Sequence, residues 1–471
     1  MPRRSAAGTA LTPLDQQVLA TIGAPVAAPG TTSPAAPAAA GDGAAPPALR
    51  LTRLLLQDFR NHAAAELRVS GRIVTVSGEN GSGKTNLLEA ISLLVPGRGL
   101  RGARVAELGR IAGGTPLPWA VAGRFEGLWG PFDLGTGTPP DGGDASRDGS
   151  RSGRALRLDG SPVRAQGELA RQVAAVWLTP QMDRLFQEGA SGRRRFLDRL
   201  AWALEPGHAR EVSSHDNAMA QRNRLLGEGK RDDRWLAALE DAMARHGVAA
   251  AAARAGLVAQ LNAALAEGVA GDFPAARCEL NCTVSDDLAA MPALAAEDAL
   301  RARLAANRGR DAAAGLATEG AHRCDLSLTH LPKEVPAALC STGEQKALLV
   351  SVVLAHAALI AAARGFAPIL LLDEVAAHLD ARRREALFAA LAALPAQSFL
   401  TGTEAEVFAP LRGLAEGFRT GPGGLRPDGP GEAHPHGPGE ARAHAAHGPG
   451  PDGLGVDEGM RKAAGIPILR V

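Results

Sequence analysis

Short aliphatic runs cut by glycine give way to longer helical periods along this chain. Residues 51–59 and 64–69 read as strands, and 73–76 is a short apolar strand running into a Gly-rich loop. Residues 86–95 then carry a helical period. Strands of a small sheet are expected over 119–125 and 155–158, with a polar Gly/Asp/Ser loop at 139–153 between them. Residues 173–178 form another strand of the buried kind. Beyond it the pattern predicts helices over 193–204 and 207–226, and one or two more within 233–268. Their Ala-rich, charge-punctuated period suits antiparallel helices rather than a compact sheet. Sheet-like sequence returns at 278–284, and 369–372 with 398–400 complete the strands. The expectation is an α/β fold with a mixed sheet and an inserted α-helical lobe.

One segment mimics a membrane span. Residues 347–363 are almost wholly apolar, but they fall short of the ~20 residues a bilayer requires, and Ser351 and His356 interrupt them. A buried core helix is the expectation, with no membrane partner. Residues 1–49 are Ala/Pro/Gly-rich and 416–471 Gly/Pro/His-rich. Both are expected to be disordered, because they lack the apolar surface that offsets chain entropy. His434, His436, His444 and His447 could hold a metal, a solvated tail being the plainer reading.

Composition narrows the function classes. A net charge of +1 gives no global basic field, so any nucleic-acid site is a local patch. With no Tyr and 3% aromatic residues, base stacking on an aromatic platform is disfavoured. Four cysteines without CxxC pairing read as reduced thiols of a cytoplasmic protein rather than a disulfide framework or zinc site. Arg3 and Arg4 lead into no apolar stretch of signal-peptide length.

The chemistry is concentrated in three motifs. Gly78, Glu79, Asn80, Gly81, Ser82, Gly83, Lys84 and Thr85 match G-x-x-x-x-G-K-[ST] between a predicted strand and helix, the context of a P-loop. Backbone N–H groups and the helix N-terminus cradle phosphates there. Lys84 is expected to reach the β- and γ-phosphates of ATP, and Thr85 to ligate Mg²⁺. The second motif is the aliphatic strand 369–372, which ends in Asp373 and Glu374. Asp373 is placed to hold Mg²⁺, and Glu374 to orient or deprotonate the attacking water. The third, Ser341-Thr342-Gly343-Glu344-Gln345-Lys346, opens the apolar helix. Ser341 and Glu344 fit a capping box. The segment also resembles the signature motif of ABC-type ATPases, which presents a Ser hydroxyl to the γ-phosphate held by another subunit. Residues 375–380 resemble the D-loop of that class.

The order of P-loop, helical insertion, signature and acidic strand resembles the RecF family of ABC-type, SMC-like repair ATPases. Residues 54–61 (LLLQDFRN), 191–198 (SGRRRFLD) and 320–326 (GAHRCDL) are similar to further RecF motifs, so the resemblance spans about 50–415. It implies an ATPase head from 50–190 and 320–415 and a helical lobe over 191–319. The implied activity is a weak, DNA-stimulated ATPase that dimerises on ATP, binds duplex DNA near single-strand gaps and works with RecO and RecR to load RecA. Departures are Cys340 for Leu, Thr342 for Gly and Cys324 for Asp. Thr401-Gly402-Thr403 stands where transporter enzymes carry a switch His. Gln181 occupies a Q-loop position, where it would contact the metal; a polar turn residue is the equal alternative. Arg98, Arg101 and Arg104, and Arg193, Arg194 and Arg195, are candidate DNA-phosphate contacts, the alternatives being a solvated charged face or intramolecular ion pairs. The ATPase subunit of a membrane transporter is the competing class, opposed by the long insertion and the missing His. A small-molecule P-loop kinase, which would need no signature, is the third.

Overall fold

The computed structural model describes residues 49–139, 154–163, 166–229, 232–421 and 424–428. The expected N-terminal extension, nearly all of the 139–153 loop and the His-bearing tail lie outside the described residues. In chain order, the first strands are β1 (Arg50–Phe59), β2 (His62–Arg68) and β3 (Ile73–Ser77), followed by helix α1 (Lys84–Leu93). Then come β4 (Ala120–Gly127), β5 (Gly130–Gly137), β6 (Ala155–Leu158), β7 (Ser161–Pro162), α2 (Gln166–Gln172) and β8 (Ala175–Leu178). A helical stretch follows with α3 (Ala190–Leu204), α4 (His208–Gly227) and α5 (Asp233–Ala266). After β9 (Ala276–Asn281) come α6 (Thr283–Ala290), α7 (Ala293–Ala306) and α8 (Arg308–Ala314). The main later elements are β10 (Asp325–His330), α9 (Thr342–Arg364), β11 (Ile369–Leu372), α10 (Ala381–Ala393), β12 (Ser398–Gly402), β13 (Ala415–Gly421) and β14 (Gly424–Pro427).

Two six-stranded sheets carry the head. One is antiparallel, in the order β2-β1-β4-β5-β6-β7. The other, β8-β11-β12-β3-β13-β14, is parallel from β8 to β13, with β14 antiparallel at its edge. The aliphatic runs of β3 and β11 are buried at every residue, as strands covered on both faces must be. Buried Gln397 bolts the sheets together. Its Oε1 accepts the Leu51 N–H at 2.7 Å, and its Nε2 donates to the Leu51 and Gly71 carbonyls. Helix α9 is the core helix the sequence predicts, with 347–357 all buried. Its polar interruptions bond inward: Ser351 Oγ donates to the Ala347 and Pro274 carbonyls, and His356 Nε2 to the Leu200 carbonyl.

The strand expected over 278–284 stops at Asn281. β-Branched Thr283 and Val284 extend the strand-like pattern, but the amides of Ser285 and Asp286 bond back to the Cys282 carbonyl and open a helix. Of the one or two helices expected within 233–268, the structure has one, of 34 residues, about 51 Å long. Its first half lies in a separate apolar core with α4, α6 and α7, and its second half in the head core. Arg222, fully buried, bonds Glu240, Asp311 and the Leu304 carbonyl, tying α4, α5, α7 and α8 together.

Two sequence expectations are overturned. Strands β13 and β14 extend the central sheet past the tail boundary set at 416. Glycine and charge dilute their apolar alternation, which buries Phe418 and Thr420. The expectation that all cysteines are free thiols also fails: Cys282 and Cys324 are disulfide-bonded, while Cys278 and Cys340 are free. The register explains the pairing. Asn281 faces Asp325 at the end of the β9–β10 ladder, so the next residues on either strand, Cys282 and Cys324, stand opposite one another.

Candidate nucleotide site

The P-loop runs from the end of β3 to the start of α1, where two glycines are required sterically. Gly78 (φ 153°) would place a Cβ 2.4 Å from the Thr420 carbonyl oxygen. At Gly83 (φ 107°) a Cβ would meet His62 Nε2 at 2.7 Å. Asn61 Nδ2 and His62 Nε2 hold the loop through the carbonyls of Ser82 and Gly83. Burial lowers the His62 pKa, against the opposing bond to Gly83. Ser82 Oγ lies 2.6 Å from Thr420 Oγ1, so β13 braces the loop from its other side.

A cavity of about 500 Å³ opens at the C-terminal ends of the parallel strands, the usual ligand position in such sheets. Asn80, Gly81, Gly83, Lys84 and Thr85 line one wall, and Asp373, Glu374 and Thr403 the other. Lys84 Nζ donates to the carbonyls of Gly78 (2.6 Å) and Glu79 (3.0 Å) and stands 3.5 Å from Glu374 Oε1. Thr85 Oγ1 donates to Asp373 at 2.9 Å, and Thr401 Oγ1 donates to the same carboxylate at 2.7 Å. A hydroxyl and a carboxylate are hard oxygen donors that fit Mg²⁺, which keeps waters and substrate phosphates as its other ligands. Among the described residues no group of three His, Cys, Asp or Glu could hold a metal ion.

The signature segment lies apart from this cavity. Ser341 is exposed at the N-cap of α9, and Gly343 and Glu344 occupy its first turn. The capping box is formed: Ser341 Oγ accepts the Glu344 N–H, and Glu344 Oε2 accepts the Ser341 N–H at 3.0 Å. An ion pair with Lys333 and the bonds from Ser341 pull the Glu344 carboxyl down to about 2. Residues 375–378 form a 3-10 turn, and Asp380 caps α10.

Other candidates separate. Gln181 is exposed in the turn Pro180–Arg184; its neighbour Pro180 lines the cavity, while Gln181 does not. Arg101 lines the cavity, held by Asn86 at 2.7 Å and Glu89 at 2.9 Å. Arg98 and Arg104 are exposed. The 193–195 group is not one basic patch. Arg193 is spent on both oxygens of Asp325 at 2.8 Å and Arg194 on the Cys324 carbonyl, which leaves Arg195 exposed. Sequence reasoning missed the role of Thr420, because strand β13 carries too few apolar residues to be seen. It also missed the inward turn of Lys346, which depends on tertiary packing.

Residues 50–416 match the family described as RecF/RecN/SMC N terminal domain. The DNA replication and repair protein RecF of Mesorhizobium japonicum is 47% identical over 373 residues, covering 79% of this chain and 96% of that protein. Its counterpart from Agrobacterium fabrum is 48% identical over 377 residues, with 80% and 98% covered. Among solved structures, one described as the recombination mediator protein RecF-ATPrS in the RecFOR pathway superposes with a TM-score of 0.70 at 20% identity. It covers 81% of this chain and 99% of its own. At that identity the likeness speaks for the fold, an ABC-type ATPase head.

Proposed function

The chain belongs to the RecF branch of the RecF/RecN/SMC family, and from that premise we propose that it is an ATP-dependent DNA-binding protein of replication and recombinational repair. One observation carries the mechanism: Lys84, Thr85, Asp373 and Glu374 surround a single cavity, while Ser341 is exposed outside it. A signature hydroxyl so placed meets a γ-phosphate only on a second copy of the chain, so ATP is part of a homodimer interface.

In this cycle the P-loop amides and Lys84 bind the phosphates. Thr85 and Asp373 would hold Mg²⁺, which would neutralise phosphate charge. Glu374 accepts the proton of the water that attacks the γ-phosphorus, releasing ADP and phosphate. Thr403 is the polar group on the cavity wall where a switch His would stand, and Thr401 fixes Asp373. Hydrolysis resets a clamp on duplex DNA near gaps; its turnover is slow and DNA-stimulated. RecO, RecR and the RecA pathway are the partners implied by family, and the cytoplasm the compartment. Sedimentation with ATP or ADP, with and without gapped duplex, is the test. A dimer is expected with ATP alone among the nucleotides, and a chain that remains monomeric with ATP on DNA rejects the clamp.

A further inference from the structure

Five residues after Ser341, Lys346 turns inward from α9 and is 2% exposed. Its Nζ donates to the Glu374 carbonyl at 3.3 Å and lies 3.6 Å from Asp183 Oδ2. Asp183 belongs to the turn Pro180–Arg184 that follows β8, and β8 pairs in parallel with β11, the strand leading to Glu374. One ammonium therefore ties the start of the signature helix to the turn after β8 and to the peptide bearing the candidate base.

The Glu374 backbone is held from both sides. Its N–H donates to Thr401 Oγ1 at 3.0 Å, and its carbonyl accepts from Lys346. The residue sits in the left-handed region at φ 51°, a conformation that persists in a non-glycine residue only when its surroundings impose it. The aim of its carboxylate, 3.5 Å from Lys84 Nζ, follows from that backbone. Burying an ammonium here is unfavourable: desolvation lowers the Lys346 pKa, with Asp183 opposing. An apolar residue of similar volume would pack without that penalty, so packing alone does not call for a charge at this position.

We propose that Lys346 is a positioning residue for ATP hydrolysis, coupling the placement of the signature helix to Glu374 of the same chain. The base is then aligned when Ser341, at the N-cap of that helix, engages the nucleotide of the second copy. Binding and turnover are separated by this device: each copy can hold ATP, and engagement of its own signature makes it hydrolyse. The inference rests on the proposed ATPase cycle and assigns its internal regulation.

The test measures steady-state ATP turnover and ATP-dependent sedimentation for the full chain with Mg²⁺, as wild type, Lys346→Met, Lys346→Arg and Glu374→Gln. Lys346→Met should keep KM within about twofold and still dimerise with ATP, while kcat falls at least about tenfold. Lys346→Arg, which keeps the cation, should recover most of that loss. A kcat for Lys346→Met within about twofold of wild type, with Glu374→Gln inactive, overturns the positioning role and leaves the ATPase cycle standing. A loss shared by KM and kcat, not recovered by Arg, also overturns it, because it reports disturbed packing. If Lys346→Met does not fold, Asp183→Asn is the substitute: it removes the charge partner at constant volume and should lower kcat alone, and an unchanged kcat refutes the role. A wild type without turnover, or a Glu374→Gln variant that retains it, fails the cycle and this inference together.

Discussion

Lys84 Nζ donates to two carbonyls of its own loop and pairs with Glu374 on the facing wall of the cavity. Phosphate oxygens compete for those donors with a stronger charge-assisted bond than neutral carbonyls offer. Lys84→Ala should therefore weaken ATP binding at least about tenfold, the scale of a hydrogen bond to a charged group. Titration with a fluorescent ATP analogue reads this directly, and wild-type affinity in the variant removes the P-loop assignment. At this scale the sequence was most informative where spacing is itself the chemistry. Gly78 to Thr85 and the pair Asp373 and Glu374 need no knowledge of the fold to be found. Lys346 and Thr420 do, since each acts across distant chain, on Glu374 and on Ser82. Arg193 is a case the sequence leaves open: a run of three arginines fits a patch or internal ion pairs, and Asp325 beside it decides for the pair.

Helix α9 carries two jobs on one axis. Its body fills the core, and its N-cap presents Ser341 to solvent. The capping box is compatible with the proposed trans-acting signature, because Ser341 Oγ can serve the helix in a monomer and a phosphate in the proposed dimer. Ser341→Arg places a bulky cation at that contact. ATP binding to the monomer should stay near wild type, while ATP-dependent dimerisation and hydrolysis are lost. Sedimentation with ATP decides it, and normal dimerisation of the variant reduces Ser341 to a helix cap. Element types were readable wherever the period was long, as in α3, α4 and α5. They failed at 282–284, where β-branched residues open a helix, and at β13, where two glycines and two charges hide a strand of the central sheet. The Cys282–Cys324 bond was invisible for a related reason: it follows from ladder register, which no single segment contains.

Across the whole molecule the charge is almost balanced, so the proposed binding to DNA depends on where exposed arginines gather. Arg98, Arg104 and Arg195 are exposed, whereas Arg193 and Arg194 are committed internally. DNA affinity should fall with log K linear in log salt, and replacing Arg98, Arg104 and Arg195 by Ala should make that slope shallower, by about 0.9 for each lost duplex-phosphate contact. Arg193→Ala should leave the slope alone and instead lower stability by about 1.5–3 kcal/mol, through loss of its bonds to Asp325. A salt titration with gapped duplex, beside a thermal melt, separates the two. An unchanged slope in the triple variant rules out these three as the phosphate contacts.

Strand β3 finds both of its neighbours, β12 and β13, only after the helical stretch has been made. The bond from Thr420 Oγ1 to the Ser77 carbonyl spans 343 residues of chain. At the pace of a ribosome, about 5–20 residues per second, the P-loop strand leaves the exit tunnel roughly 20–70 s before its flanking partner exists. The helices between have an apolar core of their own to bury in that interval. The nascent P-loop strand does not, and its two bare edges are a liability for pairing with other chains until synthesis passes Thr420. The nucleotide pocket is thus completed only near the end of the described chain, and a chain halted within the helices carries an intact P-loop sequence without a pocket.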